Sequence, residues 1–251
     1  MSTSLRWLIQ RVVGSISIFP FRIVAFLFHT TGLERVYKPR FTRHAALLEI
    51  DDAFIAVIPT HCRTITGAES DPINLIFIGD EKAILKTFRN AGWHRANPAS
   101  PVHLTYGLLS AVFKRSYKTG PFAPLYINIG LQDLAFQRSD NRSNFRERHH
   151  LRMWRTGTTL SDGQPVWLCA AGHEDGMKFT TAIPFYTHVL DPDLDTEREY
   201  VLDSLVKQGV VRLKYVNLNT NISITTPKKS VFGSLYYTDG RAAIAEVPRG
   251  I

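Results

Sequence analysis

Six arginines and two adjacent histidines fall between Arg138 and Arg155, in the run RSDNRSNFRERHHLRMWR, which contains no lysine. Its second half alternates. In an extended strand Arg148, His150, Arg152 and Trp154 share one face, and His149, Leu151 and Met153 share the other. Arg148 and Arg152 then stand about 13 Å apart at Cα, from a rise of about 3.3 Å per residue. Long guanidinium forks can lean together over that span and grip an oxyanion, with an imidazole beneath them. Trp154 could stack on an arginine or on a ligand. The expectation is an anion site of Arg148, His150, Arg152 and Trp154, with His149 turned to the core. The competing reading is a salt-bridged scaffold, with Asp175 or Asp193 as the internal carboxylate.

A second set of groups could hold a divalent metal. His173 and Asp175 follow the apolar run PVWLCAAG, and His188, Asp191 and Asp193 precede a helical pattern. Two histidines and a carboxylate are a minimal ligand set. No HExxH and no paired cysteines accompany them, and Asp and Gly are also what tight turns need. The metal reading therefore rests on His173, Asp175, His188 and Asp193 converging. No cofactor is otherwise implied. G-x-S-x-G is absent, and Cys169 sits in an apolar run where a thiol is inert.

The elements that must position these groups read as α+β. Residues 54–58 and 74–78 look like strands, the second (NLIFI) buried on both faces. Asp80 then caps a helix that Gly92 stops, with Ala83, Ile84, Leu85 and Phe88 on its apolar face. This turn has one glycine and two acids, so it is no phosphate loop. A short helix fits 104–113. Strands fit 125–130, 134–138, 148–155, 165–172 and 178–183. A helix follows Asp191-Pro192-Asp193, with Pro192 at its first position and Thr196 and Glu199 as a capping box. Strands at 210–218 and 233–247 close the chain, the latter turning at Thr238-Asp239-Gly240. Strands follow strands without helices between them. A mixed or mostly antiparallel sheet with two main covering helices is expected.

Charge is unevenly distributed. Residues 1–155 carry 21 Lys+Arg against 11 Asp+Glu, and residues 156–251 carry 9 against 11. A basic first part within a net charge of +8 points to an anionic partner: lipid head groups, a phosphorylated small molecule or nucleic acid. Nucleic acid is the weakest of these, because no recognised motif and no interleaved exposed aromatics accompany the basic run. Hydrophobic residues at 44% exclude a disordered chain, and two cysteines exclude a zinc ribbon or a disulfide-stapled domain.

Residues 12–28 are predominantly apolar, with Arg22 the one charged residue, at the lower edge of spanning length. A central arginine costs roughly 2.5–3.5 kcal/mol on the insertion scale, a cost that snorkelling reduces. Residues 1–32 are thus expected to form an apolar helix that spans or lies on a membrane. Residues 33–45 then make a basic linker, and 46–251 a single α+β domain. Arg35, Lys38, Arg40 and Arg43 outnumber Arg6 and Arg11, which favours the domain on the cytoplasmic side.

The runs DPINLIFIG, AGW, PLY, QDLAFQR, RHHLRMWR, PVWLCAA and HVLDPDLDTER, in that order, resemble the LssY-like C-terminal domain family of bacterial proteins over roughly residues 70–215. The resemblance implies a domain that stands behind an N-terminal apolar segment, or is joined to membrane proteins of the phosphatidic-acid-phosphatase and DedA types. It implies a bacterial membrane setting and transfers no catalytic residue; a membrane lipid or a membrane protein is the expected partner. The expected function is binding of an anionic lipid or a phosphorylated lipid-linked substrate through the Arg/His strand face. The alternative is metal-assisted hydrolysis of a phosphoester-type bond.

Overall fold

The computed structural model describes residues 20, 22–23, 26–27, 46–47, 49–97, 101–112, 117–139, 147–180, 185–231 and 233–249. In chain order the elements are β1 (Ala46–Leu47), α1 (Asp52–Ile55), β2 (His61–Arg63), β3 (Glu69–Pro72), β4 (Leu75–Ile78), α2 (Glu81–Asn90), β5 (His94–Arg95) and α3 (Pro101–Val112). There follow β6 (Tyr126–Ile127), β7 (Gly130–Leu131), β8 (Leu134–Arg138), β9 (Glu147–Leu160), β10 (Pro165–Thr180) and β11 (Phe185–Leu190). The last are α4 (Leu194–Val206), β12 (Val211–Asn217), β13 (Lys228–Lys229), β14 (Leu235–Tyr236) and β15 (Arg241–Glu246). The architecture is α+β. Its nine-stranded sheet runs β12-β15-β4-β10-β9-β8-β5, with β11 on β10 and β1 on β9. All pairings are antiparallel except β15 with β4 and β1 with β9.

The alternating pattern of the central strands decides the layers. Leu75 and Phe77 of β4, Leu151 and Met153 of β9 and Trp167 and Cys169 of β10 pack under α2 and α4, through Ile84, Phe88, Val201 and Leu205. Phe88 stacks on Phe136 at 4.4 Å. The opposite face carries Ile76, Ile78, Trp154, Leu168 and Ile244, and is covered by α1 and the small sheet β3-β2-β6-β7 through Phe54, Cys62 and Ile127. The two expected covering helices are therefore α2 and α4, both on one face.

Several local expectations change. Residues 54–58 are not a strand: Asp51 accepts a hydrogen bond from Phe54 N at 2.8 Å and starts α1. Asp193, not Thr196, caps α4, accepting from the amides of Asp195 and Thr196. Residues 165–172 and 178–180 belong to one strand, β10 (Pro165–Thr180), and residues 181–183 lie outside the described residues. The final stretch is not a hairpin, because β14 pairs with β13 while β15 inserts between β12 and β4. Cys62 and Cys169 are both buried and unbridged.

The expected N-terminal helix lies largely outside the described residues. Among those described, no helix is long and apolar enough to cross a membrane. Arg22, the one charged residue of that apolar run, is 2% exposed against the small sheet. Its Nε donates to Asn128 O at 2.9 Å and its Nη1 to Thr64 O at 3.3 Å.

Candidate functional site

The long antiparallel pair β9–β10 places Arg148 opposite Glu174, His149 opposite His173, and His150 opposite Gly172. Directly paired residues share a face. The sheet therefore carries two polar clusters at one end, one on each side.

The face away from α2 and α4 holds a cavity of about 470 Å³ whose lining includes Arg148, His150, Arg152, Glu174, Asp71 and Ser70. The small sheet adds Thr64 and Thr66, and the turn between β13 and β14 adds Ser230 and Val231. That turn is held in place because Lys228 Nζ reaches Glu69 Oε2 at 2.6 Å, and Glu69 is also gripped by Arg63 at 3.0 Å. The expected face is thus a real one, and three of its four residues meet in one concavity. Trp154 does not. It keeps the right parity but lies 2% exposed in the core, two residues further along than the cavity reaches.

Neither arginine lies open to solvent. Arg148 Nε bonds Glu174 Oε2, and Arg152 Nη1 bonds Asp71 Oδ2 at 3.0 Å. The internal carboxylates are therefore Glu174 and Asp71, not Asp175 or Asp193. Phe122 lies beneath both guanidinium groups, 4.7 Å from Arg148 and 5.0 Å from Arg152, and 5.6 Å from the His150 ring. His150 is 3% exposed, with Nδ1 3.9 Å from Glu174 Oε1. Gly172 makes room for it: a Cβ there would stand 2.9 Å from His150 Cε1. Arg152 keeps one unused donor, since among the described residues its buried Nε has no hydrogen-bond partner. Cys62 is close to Asp71, accepted by its carbonyl at 3.2 Å; burial first, and then the Asp71 charge, push its thiol well up. It is not a nucleophile.

The helix-side cluster was only half legible. His149, expected in the core, is half-buried. It stacks between Tyr200 at 3.7 Å and His173 at 4.4 Å, with Nδ1 2.7 Å from Glu197 Oε2. Burial holds the Glu197 carboxyl above its ordinary value, against the opposing pull of His149. His173 Nδ1 lies 3.2 Å from Asp191 Oδ2. Of the proposed metal residues, three have described side chains and His188 does not. His173 is in this cluster, Asp175 is exposed opposite Glu147, Asp193 caps α4, and the His188 side chain lies outside the described residues. Among the described residues no group of three or more His, Cys, Asp or Glu could hold a metal ion. His150 and His173 are on opposite faces of the sheet.

Sequence reasoning missed Glu174, Asp71 and Phe122. Glu174 had a signal in the alternation of β10, because a register that sets Gly172 against His150 sets Glu174 against Arg148. Asp71 and Phe122 had none, since each arrives by tertiary packing.

A family model described as LssY C-terminus matches residues 55–242. That stretch includes both clusters and extends past the resemblance read from the motifs, into β15. No curated protein and no solved structure matches the chain.

Proposed function

The chain belongs to the LssY C-terminus family, and we propose that its domain binds the phosphate or carboxylate of a small or lipid-linked ligand in the cavity of Arg148, His150 and Arg152. The observation that carries this is the convergence of three cationic or ionisable side chains on one concave site, with an aromatic ring beneath them. A guanidinium has five donors. One carboxylate contact fixes each arginine and leaves donors to spare, and the unpartnered Arg152 Nε is one such donor at the cavity. Glu174 and Asp71 roughly balance the two arginines, so an incoming anion gains from fixed N–H donors more than from net charge. Hydroxyls of Ser70, Thr64 and Ser230 around the rim suit a polar, hydroxylated remainder.

The test is calorimetric titration of the full-length protein with inorganic phosphate and with a short-chain phosphatidic acid. Saturable heat that Arg148→Gln weakens at least tenfold supports the reading. Heat unchanged by that substitution, or no heat with either probe, removes it. Tighter binding of the phosphatidic acid identifies a lipid-linked ligand, and equal binding identifies the phosphate group alone. A second reading, phosphoester hydrolysis, draws on the carboxylate beside His150, an arrangement that can orient an imidazole for proton transfer. Turnover of a phosphomonoester, with and without a chelator, separates that reading from binding alone.

A further inference from the structure

Helix α3 (PVHLTYGLLSAV) carries no Asp, Glu, Lys or Arg in twelve residues. Three of its apolar side chains lie open: Val102 at 61%, Tyr106 at 59% and Leu109 at 45% exposure. Their spacing of four and three places them along one stripe of the helix. A charge-free helix with an apolar stripe turned outward is unusual in a soluble domain.

Beside it is a basic groove of about 510 Å³. Lys82, Lys86 and Arg89 line it from one face of α2, again at spacings of four and three, and His94 and Arg95 line it from β5. Trp93 and Phe136 also line it, and among the described residues no acid does. Among the described residues none of Lys82, Lys86, Arg89 and Arg95 forms an ion pair. This differs from the cavity on the other face, where both arginines are matched by carboxylates.

Hydrogen bonds join the helix to the groove. His103 Nδ1 is 3.0 Å from Tyr117 Oη, and Asn97 Nδ2 donates to both Tyr117 Oη and Thr119 Oγ1 at 3.0 Å. Thr119 itself lines the groove, and the charge of Lys118 acts on His94, which lines it too. Helix α3, which bears the apolar stripe, and the basic groove are thereby hydrogen-bonded neighbours at the β5 edge of the sheet.

We propose that this surface seats the domain on an anionic bilayer, with α3 lying in the interface and the α2 and β5 cations among the head groups. An amphipathic helix lying in the plane of the membrane needs apolar side chains to insert and nearby cations to meet negative lipid. An acidic protein would match the cations but not the open Val102–Tyr106–Leu109 stripe, and a second copy of this basic surface would repel the first. The inference does not depend on what fills the cavity, nor on the segment before residue 46.

The experiment uses the full-length protein with Leu109→Cys carrying an environment-sensitive fluorophore. Cys62 and Cys169 are fully buried, so the new thiol alone is labelled. The probe is phosphatidylcholine vesicles with or without phosphatidylglycerol. Because the label reports on α3 and not on partitioning of the chain, anchoring elsewhere does not mimic the result. A blue shift with anionic vesicles, quenched by lipid-borne nitroxides, is expected. Lys82→Gln/Lys86→Gln/Arg89→Gln should raise the lipid concentration needed by on the order of a hundredfold, about fivefold per cation. An unshifted label on anionic vesicles overturns the proposal, as does a shift that the triple replacement leaves unchanged. A shift that grows with protein concentration without lipid assigns the surface to a second copy, and overturns it too.

Discussion

Gly172 faces His150 across the β9–β10 ladder so closely that a methyl group at position 172 would stand 2.9 Å from the imidazole Cε1 and 3.2 Å from its Nε2. Leu190 Cδ1 closes the other side at 3.2 Å. The glycine is thus part of the cavity: its missing side chain is the space in which His150 sits. Gly172→Ala should tilt the ring away from Glu174 and cost about 1–3 kcal/mol, the usual scale of overpacking. Chemical denaturation measures the stability, and phosphate titration should weaken at the same time. Full stability with unchanged binding would mean that the ring position is immaterial.

Arg152 and Asp71 make the second relationship that decides the site. Their side chains are 7% and 22% exposed, so the pair is largely out of water. Removing one partner of such a pair strands the other charge and costs about 3–5 kcal/mol when fully buried. Arg152→Gln should approach the lower end of that range. Adding Asp71→Asn should restore much of it, giving a coupling above about 1 kcal/mol in a double-mutant cycle. Anion binding should stay lost in both. Additive effects would show that the two side chains do not act as a pair.

How far this was readable depends on which physical rule carries each residue. Period-two alternation places Arg148, His150 and Arg152 on one face with no tertiary information, and they do share it. Parity says nothing of depth along a strand, so Trp154, on the same face, lies in the core instead of the cavity. Asp71 is 81 residues from the arginine it holds, and no local pattern announces that contact. The separation of His150 from His173 follows from register: the residue facing His150 is Gly172, so His173 must turn to the other side. Residues 54–58 were misread because a short apolar run fits strand and helix alike. The Asp51 cap was the distinguishing signal.

Arg22 links the N-terminal segment to the wall of the cavity. It bonds Thr64 O, and Thr64 lines the cavity; it also lies 5.8 Å over the Tyr126 ring. Among the described residues the Tyr126 hydroxyl has no hydrogen-bond partner, and burial pushes its pKa up to about 12. Arg22→Met keeps the apolar stem but withdraws both donors from backbone carbonyls. A charged hydrogen bond is worth about 1.5–3 kcal/mol, so a loss of roughly that size is expected in thermal or denaturant unfolding of the full chain. Hydrogen exchange at residues 61–64 and 126–131 should quicken. Unaltered exchange there would place the Arg22 contact outside the stability of the small sheet.

Glu197 should make the domain less stable as pH rises. Its side chain is 2% exposed, its Oε1 has no partner, and desolvation holds its pKa above the ordinary value near 4.5. The groups facing it are His149 and His173 on the sheet and Asp191 before α4; the histidines oppose the shift and Asp191 adds to it. A raised carboxyl pKa means that the folded state holds the proton more tightly than the unfolded chain. The corresponding stability is complete below the unfolded pKa and is lost as pH climbs from about 4.5 through the folded value. Glu197→Gln keeps an acceptor for His149 and removes the titration. Below pH 4.5 the variant and the parent should agree within about 1 kcal/mol, the scale of one neutral hydrogen bond. Above it the parent should fall relative to the variant in urea unfolding followed across pH. Parallel curves would show that the contact with His149 compensates the carboxylate in full.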